Sequence, residues 1–332
     1  MAETINTSEL AEKISKDIFK HFLWQTHPKH DDNFHCHNEK HLGDGDKPKK
    51  SHPGDVVFSY DDPYLGKKVY LHTDLKSYGK ASITPHKLRK AFHSLCLAVE
   101  CAKESIDWRM KYSVDESEAH EVRGMLFVYN HDNNYEMAFS DAIDKVDVNN
   151  LPVGPNSTLH FLGPDDIQRL YSIGNDIIRL KQDDELPSEY TFYYPDKVMY
   201  HRHGDIWGQS ATIESLTDPY FIIRHKRLKD SNLSKGYLIY YNRPGDNVDE
   251  FVYFLDTLSR YQMLDSDQKI RIRVTSPAAS NDLKSIFQTA KNKYSKAWGF
   301  DPSREKLLNS IQIDRITSVT STYNPGDVGW KE

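Results

Sequence analysis

Apolar positions fall first at helical spacing: Leu10, Ile14, Ile18 and Phe22 recur every four residues behind Thr7 or Ser8, a ready N-cap. The spacing predicts an amphipathic helix over residues 8 to 24. A polar stretch from His27 to Lys50 follows and reads as a loop. Two extended runs come next, Val56 to Phe58 and Lys68 to Leu75, separated by the turn-forming Asp61-Asp62-Pro63-Tyr64-Leu65-Gly66. They predict a β-hairpin. Thr84-Pro85 opens a helix to about Ser105, with Leu88, Phe92, Leu95 and Val99 on its buried side. The apolar runs Arg123 to Tyr129 and Ser157 to Leu162 predict buried strands, the second leading into a helix that ends near Lys181.

Gln182 to Pro187, acidic and proline-ended, sets the expected domain boundary between residues 1–182 and 183–332. Beyond it, Gly236 to Asn242, a helix from Val248 to Gln262, Lys269 to Thr275, a helix from Ala279 to Lys296, and Ser310 to Val319 form a β-α-β-α-β succession. Such alternation favours a sheet with helical crossovers, so the expected class is α/β throughout. That second half holds no phosphate loop and no nucleophile motif. Its His201, Arg202, His203 and Asp205 make a polar cluster that specifies no chemistry.

Composition adds compartment and partner. At 332 residues, 38% hydrophobic and 28% charged, the chain has a soluble globular make-up, and no stretch approaches a membrane span. The polar start MAETINTSEL lacks the order of a secretory signal, and three cysteines suit a reducing compartment, so a cytoplasmic protein is expected. The net charge of −6 argues against indiscriminate nucleic-acid binding, but its distribution is uneven. Gly45 to Lys111 carries thirteen Lys/Arg against eight Asp/Glu, whereas Tyr112 to Tyr200 carries six against seventeen. The basic section is the one holding the hairpin, as a phosphate-binding surface requires.

The hairpin also carries the candidate chemistry. Asp55 opens its first strand, and Asp74 and Lys76, two residues apart on the second, leave the same face of the sheet. Two converging carboxylates repel unless a cation lies between them, and hard oxygen ligands suit Mg²⁺. Lys76 beside such an ion can orient water and offset charge building on a phosphate. The chemistry indicated is phosphodiester hydrolysis.

Asp55, a spacer, then Asp74-Leu75-Lys76 resembles the PD-(D/E)xK motif of restriction-endonuclease-like nucleases, with Pro53-Gly54-Asp55 in place of a bare Pro-Asp pair. Val69-Tyr70-Leu71 before it, Ser77-Tyr78 after it, and the segment Leu159 to Ile167 are similar to that family too. The resemblance covers residues 1 to about 182. It implies a mixed-sheet core flanked by helices, Asp55 and Asp74 as ligands of Mg²⁺ with Mn²⁺ able to substitute, and Lys76 as the third catalytic group. It also implies a carboxylate from the first helix, Glu12 or alternatively Glu9. DNA is the expected substrate, with RNA left open, and a role in bacterial defence against phage would follow. Lys47, Lys49 and Lys50 before the hairpin, and Lys87 and Lys90 beside Arg89 and His93 on the helix after it, are candidate phosphate contacts. Residues 183–332 would bind a protein partner, a second copy or a signal. The rival reading is a non-catalytic scaffold or nucleic-acid-binding protein that keeps the fold.

One further ligand set lies in the polar loop. His27, His30, His35, Cys36, His37 and His41 offer imidazole and thiolate to zinc, but their spacing fits no finger pattern with a second half-site. Cys96 and Cys101 fall in the helix after the hairpin and read as core packing.

Overall fold

The computed structural model describes residues 7–43, 47–115, 117–195, 207–228, 233–264, 268–297, 299, 301–317 and 322–326. Residues His201 to Asp205 lie outside that set. Two compact units form: one from 1–168 together with 321–332, the other from 169–320.

In the first unit, α1 (Thr7–Asp17) is shorter than the periodicity predicts, because a 3₁₀ turn over Phe19–Phe22 replaces its last part. Leu23 closes that turn in the left-handed region, with φ at 62°. A short edge strand β1 (Gln25–Thr26) follows, then β2 (Phe34–His35) and β3 (Ser51–His52), which pair with each other. The hairpin forms as expected from β4 (Val56–Asp62) and β5 (Lys67–Tyr78). Asp62 makes the turn, its Oδ1 accepting from the N–H groups of Tyr64 and Leu65.

Helix α2 (Pro85–Glu104) is N-capped by Thr84 and crosses back over the sheet to β6 (His120–Asn130), with α3 (Ile106–Lys111) between them. Then come α4 (Phe139–Ile143), β7 (Leu159–Leu162) and α5 (Pro164–Gln182). The sheet order is β1-β4-β5-β6-β7, antiparallel up to β5 and parallel from β5 to β7. Strand β5 is therefore central, bonded to β4 on one side and to β6 along its length on the other. The fold is the mixed α/β arrangement expected for this half.

Alternation along β5 gives the sheet two unlike faces. On one, Val57, Tyr70 and Val122 pack with Ala98, Cys101 and Ala102 of α2 and with Trp108. Leu126 and Val128 extend that layer against Leu88, Phe92, Leu95 and Val99. On the other, Phe19 packs on Phe58 and Phe127 at centroid distances of 4.6 and 6.2 Å.

The second unit is built on a sheet of order β12-β11-β10-β9-β8. Its strands are β8 (Tyr190–Phe192), β9 (Tyr220–His225), β10 (Gly236–Tyr241), β11 (Lys269–Val274) and β12 (Gln312–Arg315). The parallel part, β10 to β12, is the one the alternation predicts, while antiparallel β8 and β9 add an edge it does not. The helices are α6 (Ile213–Thr217), α7 (Val248–Arg260), α8 (Leu283–Ala297) and α9 (Pro302–Ser310). Phe251, Phe254, Leu255, Leu258 and Phe287 of α7 and α8 cover the face bearing Ile239, Ile272 and Ile313.

The opposite face takes the later turns of α5. The Asp176 carboxylate accepts from Tyr240 Oη at 3.0 Å and from the Arg273 guanidinium at 2.5 and 3.1 Å. Contacts therefore divide the chain between Gln168 and Arg169, inside α5, rather than at Gln182 to Pro187. That acidic break is itself fastened to the second unit: Leu186 is buried, and Arg271 donates to the Glu185 carbonyl at 2.5 Å. Among the described residues no helix is long and apolar enough to cross a membrane.

Candidate active site

Continuing the register Val56↔Thr73 by one residue sets Asp55 opposite Asp74. Both side chains leave the face covered by α2. Asp55 is further tied to β5 through its Oδ2, which accepts the Leu75 N–H at 2.8 Å. Lys76, on the same face, donates its Nζ to Asp74 Oδ1. A narrow cleft between the sheet and α2 is lined by Pro53, Asp55, His72, Thr73, Asp74, Ser94, Leu95 and Ala98. The hairpin thus brings Asp55, Asp74 and Lys76 together.

The electrostatics of this trio follow from burial. Asp74 is 7% exposed, and Asp55 is half-buried beside it. Burial, then the Asp74 charge, pushes the Asp55 carboxyl up to about 7, against the opposing pull of the Leu75 N–H and the Lys76 charge. Burial also works against the Lys76 ammonium, but Asp74 and Asp55 more than offset it, so its pKa lies above the ordinary lysine value. Asp55 and Asp74 together form a hard, oxygen-only donor set. Such a set fits a divalent ion of the Mg²⁺ or Mn²⁺ kind.

The arm that carries Asp55 is held by backbone and by one residue the sequence reading passed over. Asp31 N–H donates to the Asp55 carbonyl at 3.0 Å and Asp32 N–H to the Gly54 carbonyl at 3.1 Å. His72 is almost wholly enclosed, and burial lowers its pKa to about 4. It is therefore neutral near pH 7. Its Nδ1 accepts from Trp108 Nε1 at 3.3 Å, which leaves the proton on Nε2 to donate to the Pro53 carbonyl at 3.0 Å. The period-two position between Tyr70 and Asp74 was the signal that could have found His72. Gly54 also has a packing reason: a Cβ there would lie 2.7 Å from Tyr112 Oη and 2.8 Å from the Asp32 carbonyl oxygen. That close approach accounts for the glycine between Pro53 and Asp55.

The helix carboxylate is placed differently. Glu12 and Glu9 are both exposed on α1, and neither meets Asp55 or Asp74 among the described residues. The turn after α1 puts its aromatic side on Phe58 and Phe127, the sheet face away from Asp74.

The basic candidates divide. Lys47, Lys50, Lys87 and Lys90 are exposed and Lys49 is half-buried. Lys49 stands close enough to α2 for its charge, with those of Arg89 and His41, to add to burial in lowering the His93 pKa. Lys87 Nζ donates to Ser82 Oγ at 2.8 Å. Arg89 is committed to architecture, donating to the carbonyls of Asp147 and Asn149 at 2.9 and 3.1 Å.

No curated protein and no solved structure matches the chain. A family does: residues 1–166, ending just inside the first turn of α5 and taking in the whole β1-β4-β5-β6-β7 sheet, match the GAPS4 protein PD-(D/E)XK nuclease domain. With half its length inside that family, Asp55 just ahead of β4 and Asp74-Leu75-Lys76 on β5, the chain belongs to the PD-(D/E)XK nucleases of the GAPS4 type.

Proposed function

We propose that this protein is a divalent-metal-dependent endonuclease that hydrolyses phosphodiester bonds of DNA, with Asp55 and Asp74 as metal ligands and Lys76 as the third catalytic group. The observation that carries the reading is the pairing of Asp55 with Asp74 on one face, where burial and then the Asp74 charge drive the Asp55 carboxyl up to about 7. A bound Mg²⁺ or Mn²⁺ would supply Lewis-acid activation of water and charge neutralisation at the phosphate. Lys76 keeps its charge, lies beside Asp74, and is placed to donate to a phosphate oxygen as negative charge builds there. Leu75 N–H fixes one Asp55 oxygen, leaving the other for the ion. The cleft wall formed by Ser94, Leu95 and Ala98 limits water on the protein side.

DNA is taken as the substrate on the family resemblance, with RNA left open, and Lys47, Lys49, Lys50, Lys87 and Lys90 of the basic section around the hairpin would meet the phosphate backbone. Residues 169–320, compact in their own right, would then serve recognition of a partner, a second copy or a signal. A part in bacterial anti-phage defence belongs to the same proposal and rests on the resemblance. The test is incubation of the purified chain with plasmid DNA and with structured RNA, each with Mg²⁺, Mn²⁺ or excess chelator. Nicking or linearisation of the plasmid only when metal is present supports the reading. Metal-independent cleavage, or retention of nucleic acid without cleavage, would favour the non-catalytic or another mechanism.

A further inference from the structure

We propose that Cys36, His41, His52 and Cys101 form a structural zinc site that fastens the segment between β1 and β4 to helix α2. One donor atom from each residue lies within 4.8 Å of all the others. Cys36 Sγ is 3.7 Å from Cys101 Sγ, and His41 Nδ1 is 3.5 Å from the first sulfur and 3.4 Å from the second. His52 Nε2 is 3.4 Å from His41 Nδ1. A tetrahedral zinc with sulfur at about 2.3 Å and nitrogen at about 2.05 Å requires edges of about 3.8 Å between sulfurs, about 3.5 Å from sulfur to nitrogen and about 3.3 Å between nitrogens. The four measured edges match these, and the His52 nitrogen lies within 4.8 Å of both sulfurs. They do not match a disulfide, whose sulfurs lie about 2.05 Å apart.

The surroundings fit a structural ion. His41, His52 and Cys101 are buried, and four protein donors complete a tetrahedron with no position left for substrate. The nitrogen of His41 that faces away from the cluster, Nε2, lies 3.4 Å from Glu100 Oε2, and Asn38 Nδ2 donates to the other Glu100 oxygen at 3.0 Å. A carboxylate behind a ligating imidazole fixes its tautomer and raises its basicity. On binding, the two thiols would release their protons and coordinate as thiolates.

This assignment supplies the second half-site that the loop lacks. Cys36 and His41 come from the loop, His52 from β3, and Cys101 from α2, so the ion would close chain segments 65 residues apart. Three of the other loop imidazoles are engaged elsewhere: His27 with Ser59, His30 with Ser8, and His37 with Ser105. His52 stands three residues before Asp55, and its neighbour Pro53 is the residue that His72 holds. The zinc would therefore anchor the arm that presents Asp55.

The test is metal analysis of the full chain purified without added metal, followed by substitution with Co²⁺. About one zinc per chain, retained through dialysis that strips Mg²⁺, and a cobalt form with tetrahedral d–d bands and thiolate-to-cobalt charge transfer are expected. Asp55 and Asp74 contain no sulfur, so that charge-transfer band reports this cluster alone. Asp74→Ala and Cys96→Ala should keep the zinc, while Cys36→Ala and His52→Ala should lower it to below about a tenth of an equivalent. Should the latter variants fail to fold, the cobalt spectrum of the parent chain decides. A folded parent without zinc and without the charge-transfer band, or one with a Cys36–Cys101 disulfide by mass spectrometry, overturns the proposal.

Discussion

The N–H of Leu75, the residue between Asp74 and Lys76, donates to the Asp55 carboxylate at 2.8 Å, so the two halves of the proposed catalytic pattern are joined by a backbone-to-side-chain hydrogen bond. Removing any one side chain of the trio therefore leaves the geometry of the other two largely in place, and the variants can be read chemically.

Asp74→Ala should remove a charged ligand, so Mn²⁺ affinity and cleavage fall together. Lys76→Ala removes a positive charge beside the ion, so Mn²⁺ should bind at least as tightly while turnover drops by a factor on the order of 10²–10³. Calorimetric titration beside a plasmid assay checks both. Wild-type cleavage by both folded variants would remove Asp74 and Lys76 from the mechanism.

Mn²⁺ affinity should depend on pH through Asp55. With its carboxyl held near 7 in the metal-free chain, the ion must displace a proton below that pH. Affinity should rise up to about tenfold per pH unit below 7 and level off above it. A flat profile between pH 5 and 8, in titrations at about those values, would contradict the raised Asp55 pKa.

Asp55→Asn should stabilise the metal-free protein while abolishing cleavage. A carboxyl whose folded pKa is raised binds more protons folded than unfolded, so its ionisation costs stability as pH rises from about 4 to 7. The variant escapes that cost, by roughly 1–3 kcal/mol at pH 8, and the advantage should vanish near pH 4. Thermal unfolding in excess chelator at the two pH values measures it. A variant less stable than the parent at pH 8 would argue that Asp55 is not strained by Asp74.

Gly54→Ala should destabilise by roughly 1–3 kcal/mol and cut activity, since the new methyl meets Tyr112 Oη and the Asp32 carbonyl. Among the described residues Tyr112 Oη has no hydrogen-bond partner, so Tyr112→Phe alone should be nearly neutral and should recover part of the Gly54→Ala loss. A double-mutant cycle by urea unfolding gives the coupling.

What the sequence made legible was the local part. Asp55, Asp74 and Lys76 could be placed on one face because a hairpin with period-two alternation determines facing from residue number alone. The parallel half of the second sheet was legible for the same reason, through runs such as Gly236 to Tyr241 bounded by helices. Glu12 was not. Helical spacing says which side of α1 is buried, yet not which face of the sheet that helix joins. Cys101 misled in the opposite sense: its helical position reads as core, and only the chain's path brings Cys36, His41 and His52 to it. The boundary inside α5 escaped too, because a continuous helix can give its first turn to one unit and the rest to another without any break in pattern.

The two carboxylates differ in what it takes to move them. Asp74 and Lys76 sit within β5, paired with Leu126 and Val128 of β6, and shifting them means unzipping that parallel ladder. Asp55 lies just outside the ladder, at the end of an arm held by Asp31, Asp32 and His72. An excursion of that arm that breaks the hydrogen bond from the Leu75 N–H would part Asp55 from Asp74 with the β4–β5 ladder intact, and on the proposed mechanism it would part the two metal ligands.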